Sequence, residues 1–207
     1  MDSREHWEKV YRTRRENDVS WYRPHLDRSL DLIAQTGAGH DARIIDVGGG
    51  ASTLVDDLLA HGYKHITVLD IAREPLEISQ QRLGERARDV AWIVGDVTTL
   101  DLGPDRFDVW HDRAVFHFLT GEAQRAAYIE RVCCSLDRGG YLILATFGPE
   151  GPETCSGLPV ARYDAGQLQH AFGDAFRLIG KAEERHQTPF GTEQEFVYCL
   201  CRREAAC

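Results

Sequence analysis

The chain has 207 residues, enough for one well-buried domain and too few for two comfortable ones. It is 43% hydrophobic and 28% charged, a composition typical of globular proteins, and its formal net charge is -9. This acidic balance argues against nucleic acid as a partner, because phosphate contacts need clustered Lys and Arg. No apolar run approaches the roughly 20 residues that cross a bilayer, and the charged N-terminus has no signal-peptide pattern. We therefore expect no membrane partner and a cytoplasmic location.

Strands and helices alternate through the first three quarters of the chain. A helical segment is predicted around Leu26 to Ile33, ahead of apolar, β-branched runs that predict strands at 43–47, 65–70, 90–94, 107–111 and 141–147. Amphipathic patterns predict helices at 53–61, 74–87 and 121–136, and Thr53 with Asp56 is expected to cap the first of them. Apolar strands separated by helices indicate a parallel sheet that is covered on both faces.

The pattern changes after the fifth strand. A Gly/Pro-rich loop at 148–163 contains Cys155 and is a candidate lid, which we expect to close over the ligand together with Trp7, Trp21 and Tyr22. A short helix follows, opened by Asp164 and Gln167 as a capping box. The runs FRLIGKAEE and EQEFVYCLCRR are joined without a helix and predict an antiparallel hairpin at the sheet edge. The whole chain is predicted to form one doubly wound α/β domain.

The turn after the first strand is rich in glycine and is preceded by an acid. Ligands of doubly wound sheets bind beyond the carboxyl ends of the strands, where Gly48 and Gly50 lie. The dinucleotide pattern GxGxxG is incomplete because Thr53 occupies the third glycine position, and no GK[ST] follows to make a P-loop. Asp46 brings a carboxylate into the turn. An anion there repels a pyrophosphate and favours a ligand with an ammonium or sulfonium group.

Two further acids follow the next two strands. Asp70 ends the second strand, where an acid can accept the ribose hydroxyls of a nucleoside. Asp96 follows the third strand and is placed to meet an adenine amino group. Each acid alone could cap a turn, but together with Asp46 they put carboxylates at three consecutive strand ends.

These motifs resemble those of the class I S-adenosylmethionine (SAM)-dependent methyltransferases. DVGGGAS is similar to their first motif, D/E-x-G-x-G-x-G, with Ser52 in place of the last glycine, and VLDI and GDV are similar to the second and third. The resemblance implies SAM as the cofactor. It also implies a Rossmann-like, seven-stranded, mostly parallel sheet whose last strand is inserted antiparallel.

The resemblance also implies which residues hold SAM. Asp46, Gly48 and Gly50 would surround its methionine part, and Asp70 would hold the ribose. The remaining predicted cofactor-binding residues are Ile71 beside the adenine, Asp96 and Val97 at the adenine edge, and His111 and Trp21.

Two subgroups of methyltransferases share features with the N-terminal segment and the region after the fourth strand. HWEKVY, VSWY and DRAVFHFL are similar to protein-lysine methyltransferases, which carry Asp-Lys-Gly-Thr at this position. Thiopurine and small-thiol methyltransferases carry Asp-Arg-Gly-Ala and a downstream Arg-x-x-Tyr, a pattern that Arg125 and Tyr128 reproduce. Ala114 and Val115 depart from these patterns, so the acceptor stays open.

Asp112, Arg113 and His117 are the predicted catalytic residues. A carboxylate near the acceptor can bind a lysine ammonium, Arg113 can stabilise a thiolate, and His117 can serve as a general base for a hydroxyl. The alternatives are a structural ion pair for Asp112 and Arg113, and local hydrogen bonding for His111 and His117. No metal site is predicted, because no histidine pair has helical ligand spacing.

The predicted function is methyl transfer from SAM to a small-molecule nucleophile, through N, O or S. A protein lysine is the alternative acceptor, and a non-catalytic SAM-binding or sensor protein is a further alternative. We assign 1–207 to a single domain with four parts: 1–40 as an N-terminal helical lid, 41–147 as the SAM-binding core, 148–163 as a substrate loop, and 164–207 as a C-terminal helix and hairpin. The sequence carries no signal for the oligomeric state.

Overall fold

The computed structural model describes residues 3–205. Its helices are α1 (Ser3–Thr13), α2 (Asp27–Gln35), α3 (Leu54–Ala60), α4 (Glu74–Leu83), α5 (Glu122–Ser135) and α6 (Ala165–Phe172). Its strands are β1 (Arg43–Val47), β2 (His65–Asp70), β3 (Val90–Val94), β4 (Phe107–Arg113), β5 (Leu136–Phe147), β6 (Thr154–Cys155), β7 (Leu158–Pro159), β8 (Phe176–Gln187) and β9 (Glu193–Arg203). Within residues 3–205, no helix has the length and apolar character needed to cross a membrane.

Seven strands form the main sheet, in the order β3-β2-β1-β4-β5-β9-β8. The strands from β3 to β5 are parallel, whereas β9 is antiparallel to both β5 and β8. The predicted fold class is confirmed: a mostly parallel, Rossmann-like doubly wound sheet with an antiparallel C-terminal edge hairpin. The strand order reverses between β1 and β4, and this reversal opens a crevice at their carboxyl ends.

Most element bounds agree with the predictions within one residue, and the main exceptions are α4, β4 and β5. α4 ends at Leu83 where the prediction was 87, and a 3-10 helix (Gly84–Asp89) follows it. β4 continues past His111 to Arg113, and β5 begins at Leu136, which pairs with Phe107. The segment DRGG therefore lies in a strand instead of ending α5 as a loop. Thr53 does not cap α3 with its side chain, because its hydroxyl donates to the Arg23 carbonyl at 2.9 Å. The predicted capping box of α6 is present.

Two apolar cores cover the two faces of the sheet. Val109 packs in the core that includes α2, and its neighbour Trp110 packs in the core that includes α5. Successive side chains of a strand point to opposite faces. The same alternation continues to the end of β4, so His111 and Arg113 face the α2 side while Asp112 faces α5.

Candidate active site

A cavity of about 280 Å³ lies at the carboxyl ends of the parallel strands. The turns after β1, β2 and β3 contribute five of the predicted cofactor residues to its wall, namely Gly48, Asp70, Ile71, Asp96 and Val97. A smaller cavity of about 50 Å³ adjoins it and is bordered by Asp46 and His111. Both cavities share the side chains of Tyr11, Trp21 and Arg113.

Glycine is required at two positions of the turn after β1. Gly48 has φ 68°, and a Cβ placed there would lie 2.0 Å from Cγ2 of Val115. Gly50 has φ 27°, and a Cβ there would lie 2.6 Å from Oδ2 of Asp70. Only glycine combines left-handed backbone with this close approach. The side chains of Val115 and Asp70 therefore pack directly against the glycine backbone of this turn.

The acids at the ends of β2 and β3 accept hydrogen bonds from the turns that follow them. Asp70 is 7% exposed, and its Oδ1 accepts a hydrogen bond of 2.9 Å from the Ala72 amide. Burial raises the pKa of Asp70 to about 7, and the nearby charges of Asp46 and Glu8 act in the same direction. Asp96 accepts from the amide and the hydroxyl of Thr98, at 2.8 Å and 2.7 Å.

Asp46 is tied to the helical layer through a histidine. Its Oδ1 lies 2.7 Å from Nδ1 of His111, and Nε2 of His111 lies 2.9 Å from Oγ of Ser29 on α2. All three side chains are buried. The other carboxylate oxygen, Oδ2 of Asp46, is also buried and has no hydrogen-bond partner among the described residues.

The structure does not place Asp112 at the cavity, so its predicted position at the mouth is wrong. Asp112 is fully buried and borders neither cavity. Its carboxylate accepts from the amides of Val115 at 2.8 Å and Phe116 at 3.1 Å, and from the Tyr128 hydroxyl at 2.5 Å. Burial raises its pKa to about 6. Its contacts fix the turn that follows β4.

His117 is also absent from the cavity walls, against the expectation that it meets the acceptor. The ring is fully buried, and its Nδ1 accepts from the Phe147 amide at 3.4 Å. Burial and the positive charge of Arg113 lower its pKa to about 3. A neutral imidazole packed beneath the cavity cannot take a proton from an acceptor that it does not reach.

Arg113 borders both cavities but is held by several partners. Its Nε donates to the Tyr198 hydroxyl at 3.1 Å, and its Nη1 donates to the Trp21 carbonyl at 3.2 Å. The guanidinium lies 4.2 Å from the centre of the Phe196 ring, and it pairs with Glu184 at 3.9 Å. The alternative interpretation, in which Arg113 and Asp112 form an ion pair, is therefore wrong, because the two side chains face opposite sides of the sheet.

Aromatic side chains form a further part of the wall of the larger cavity, beside the turns after β1, β2 and β3. The rings of Trp7 and Phe118 are 5.2 Å apart, and those of Trp7 and Trp21 are 5.6 Å apart, in edge-to-face arrangements. The Trp21 indole donates to the Tyr11 hydroxyl at 3.3 Å. Cys155, from the loop that was predicted to be a lid, borders the same space.

The sequence interpretation missed Tyr11 and Phe118 as wall residues. Tyr11 follows Trp7 by four residues on α1, so a helical projection would have put both rings on one face. Phe118 lies in the short turn that Asp112 holds, and nothing in its local pattern marks it. Tyr22 borders only the smaller cavity.

One face of helix α1 contacts the segment that runs from the end of β2 to the start of α4. Arg4 donates to the Ile71 carbonyl at 3.1 Å, and Glu8 accepts from the Arg73 amide at 3.0 Å. Arg12 pairs with Glu74 at the start of α4. The positions Arg4, Glu8 and Arg12 recur every four residues and form a polar stripe beside the stripe that faces the cavity.

Comparisons with known proteins agree with this architecture. Residues 44–140 match a family described as a methyltransferase domain. The eEF1A lysine and N-terminal methyltransferase of Danio rerio is 26% identical over 154 residues, a match that covers 72% of this chain and 22% of that protein. The chain thus spans about a fifth of the length of the curated relatives it matches.

Solved structures show the same fold at low identity. The N-methyltransferase NodS from Bradyrhizobium japonicum, solved with S-adenosyl-L-homocysteine (SAH), is 17% identical with a TM-score of 0.73, and the match covers 96% of this chain and 98% of that one. The 1,6-didemethyltoxoflavin-N1-methyltransferase from Burkholderia thailandensis, solved with its substrate and SAH, is 22% identical with a TM-score of 0.68, and the match covers 87% and 78%.

Proposed function

We propose that this chain is a SAM-dependent methyltransferase that transfers the methyl group of SAM to a small-molecule nucleophile, through N, O or S. When bound, SAM supplies an electrophilic methyl group on its sulfonium. The protein then has to bind the acceptor in line with that group and keep water out.

The charge of the larger cavity carries the proposal for the acceptor. Among the described residues that border it, the carboxylates are Asp70 and Asp96, and both lie at the ends of β2 and β3. A further part of the wall presents the rings of Trp7, Tyr11 and Phe118. A lysine arrives as an ammonium and needs a carboxylate beside it, whereas an apolar, aromatic wall suits a small molecule with little positive charge.

The residues present fit the cofactor. Oδ2 of Asp46 is a buried acceptor without a partner, which suits the cationic methionine end of SAM. Oδ2 of Asp70 packs against the backbone of Gly50, and Asp70 borders the larger cavity, from which a ribose can reach its carboxylate. We assign the methionine part to Asp46, Gly48 and Gly50 and the ribose to Asp70. We assign the adenine to Ile71, Asp96 and Val97.

We propose a separate role for each part of the chain. The core at 41–147 would bind SAM, while 1–40 and 148–163 would shape the acceptor side and 164–207 would support both. Trp21 and Arg113 border both cavities, which supports a place for them where cofactor and acceptor meet. The cytoplasmic location stays a prediction.

A protein lysine is the second candidate acceptor, and one observation favours it. The match to the eEF1A lysine and N-terminal methyltransferase covers 72% of this chain, although identity is only 26%. A lysine side chain would have to enter the cavity in its neutral form, since Arg113 is the one charged side chain among the described residues of this cavity that is not assigned to the nucleoside.

Labelled methyl transfer distinguishes the two acceptors. The purified protein is incubated with radiolabelled SAM and either a panel of small thiols, amines and phenols or a whole-cell lysate. We expect label in a small-molecule product, and none with Asp70→Asn, which weakens ribose binding. Label that enters a discrete protein band and no small molecule contradicts the proposal and supports the lysine alternative.

A further inference from the structure

Ser29, His111 and Asp46 form a continuous chain of hydrogen bonds beside the smaller cavity. The two contacts measure 2.9 Å and 2.7 Å, and the three side chains are 0%, 1% and 3% exposed. Full burial of the serine separates this arrangement from a nucleophilic triad, because no substrate can reach its hydroxyl. The chain instead ends at the free oxygen of Asp46.

Counting protons determines the state of the imidazole. The Ser29 hydroxyl is buried, and the one hydrogen-bond partner that residues 3–205 offer it is Nε2 of His111. A buried hydroxyl proton needs an acceptor, so Nε2 accepts it and the ring proton sits on Nδ1. Nδ1 then donates to Oδ1 of Asp46. An imidazolium would carry protons on both nitrogens and would leave the Ser29 proton without an acceptor.

A neutral His111 leaves the charge of Asp46 uncompensated. The other charged side chains that border the smaller cavity have ionic partners: Arg23 pairs with Glu184 and Asp27, and Glu16 pairs with Arg82. Arg113 lies 3.9 Å from Glu184, although its buried Nη2 makes no hydrogen bond within residues 3–205. Among the described residues of this wall, Asp46 alone has neither a cationic partner nor a donor on Oδ2. A buried carboxylate in this state costs free energy until a cation approaches it.

We propose that Ser29 and His111 are positioning residues of the cofactor site. They hold Asp46 as a carboxylate beside the smaller cavity, with Oδ1 occupied and Oδ2 buried without a donor from the described residues, and the cationic end of the cofactor supplies the missing countercharge from that cavity. The inference rests on the cofactor assignment within the proposed function and is independent of the acceptor. If the proposed acceptor is wrong, the role of Ser29 and His111 is unaffected. If that role is wrong, the proposed methyl transfer is unaffected.

Nitrogen NMR of the wild-type protein tests the proton count directly. With ¹⁵N-labelled histidine, we expect His111 to be the neutral tautomer with its proton on Nδ1, in the free protein and with SAH. Observation of the imidazolium or of the Nε2–H tautomer would overturn the proposal without any variant.

Two nearly isosteric variants test the positioning role by SAH affinity. His111→Asn keeps an N–H close to the position of Nδ1, and His111→Leu removes it. Hydrogen bonds to charged groups are among the stronger ones, so we expect SAH affinity within about threefold of wild type for His111→Asn and at least about tenfold weaker for His111→Leu. Equal affinity of the two folded variants, checked by circular dichroism, would contradict the proposal.

Ser29→Ala tests the outer end of the chain. Without the hydroxyl proton, Nε2 no longer has to accept, so a second ring proton can bind there while Nδ1 still donates to Asp46. We expect the His111 signals to shift toward the imidazolium, which neutralises Asp46, and SAH affinity to fall severalfold. Unchanged signals and unchanged affinity would overturn the role of Ser29.

Discussion

If Asp70 holds the ribose as proposed, cofactor binding depends on pH near neutrality. In the free protein, burial raises its pKa to about 7 from 3.8. Binding of ribose hydroxyls requires the carboxylate as acceptor, so the bound state lowers this pKa. The affinity for SAH is therefore fully present above about pH 7 and declines as the pH falls below it.

The size of the effect follows from the fraction of Asp70 that is ionised before binding. With a pKa of about 7, about nine tenths of the free protein is ionised at about pH 8 and about one tenth at about pH 6. The dissociation constant for SAH is then expected to be about tenfold higher at the lower pH, which corresponds to about 1.4 kcal/mol. Protein stability follows the opposite trend: the folded state binds this proton more tightly than the unfolded chain, so Asp70 lowers stability as the pH rises from about 4 to about 7.

Isothermal titration of SAH measures the affinity at both pH values. Repeating it in two buffers of different ionisation enthalpy counts the proton that is released on binding. Asp70→Asn is the matched control, because it keeps the shape and removes the titration, and its weaker binding should not change with pH. A wild-type affinity that is flat between the two pH values, or a slope that persists in Asp70→Asn, refutes the reasoning.

Three substitutions test other parts of the site. Gly48→Ala should weaken SAH binding at least tenfold in isothermal titration, because its Cβ would collide with Val115. The control Gly37→Ala, at a similar φ of 71° with nothing within 4 Å, should leave the SAH affinity unchanged. Asp112→Ala should lower the melting temperature by roughly 6 °C or more, because it leaves buried donors without an acceptor, at a cost of about 3 kcal/mol. A variant with unchanged melting temperature and lost turnover would instead support a catalytic role for Asp112. Glu184→Gln should lower the free energy of unfolding, measured with denaturant, by about 2 kcal/mol, because it breaks the pairing with Arg23 and Arg113. The control Glu183→Gln, at an exposed position, should leave the free energy of unfolding unchanged. Equal effects of the two variants would show that these ion pairs do not stabilise the fold.

Local sequence patterns were enough to predict the sheet. The apolar strands 43–47, 65–70 and 90–94 have the predicted bounds because burial on both faces demands unbroken apolar runs. The position of the acids at their ends was also predictable, because parallel strands bring their carboxyl ends to one edge of the sheet. Gly48, Asp70 and Asp96 accordingly border one cavity.

The acceptor side was less predictable because it depends on long-range packing. The interpretation ended β4 at His111, but pairing with β5 carries it to Arg113, and the added alternation turns Asp112 to the opposite face. The docking of α1 rests on contacts with Ile71 and Arg73, which are more than sixty positions away. No local pattern encodes such partners.

Apart from Phe118, the aromatic wall comes from parts of the chain other than those that form the turns after β1, β2 and β3. Trp7, Tyr11 and Trp21 precede the region that matches the methyltransferase family, and Cys155 and Leu158 follow it. Exchange of these flanking segments would give a protein of this architecture a new acceptor without disturbing the residues assigned to SAM. The layout separates the part that is shared across many enzymes from the part that can diversify, so acceptor preference can evolve at the two ends of the chain while the cofactor core is inherited unchanged.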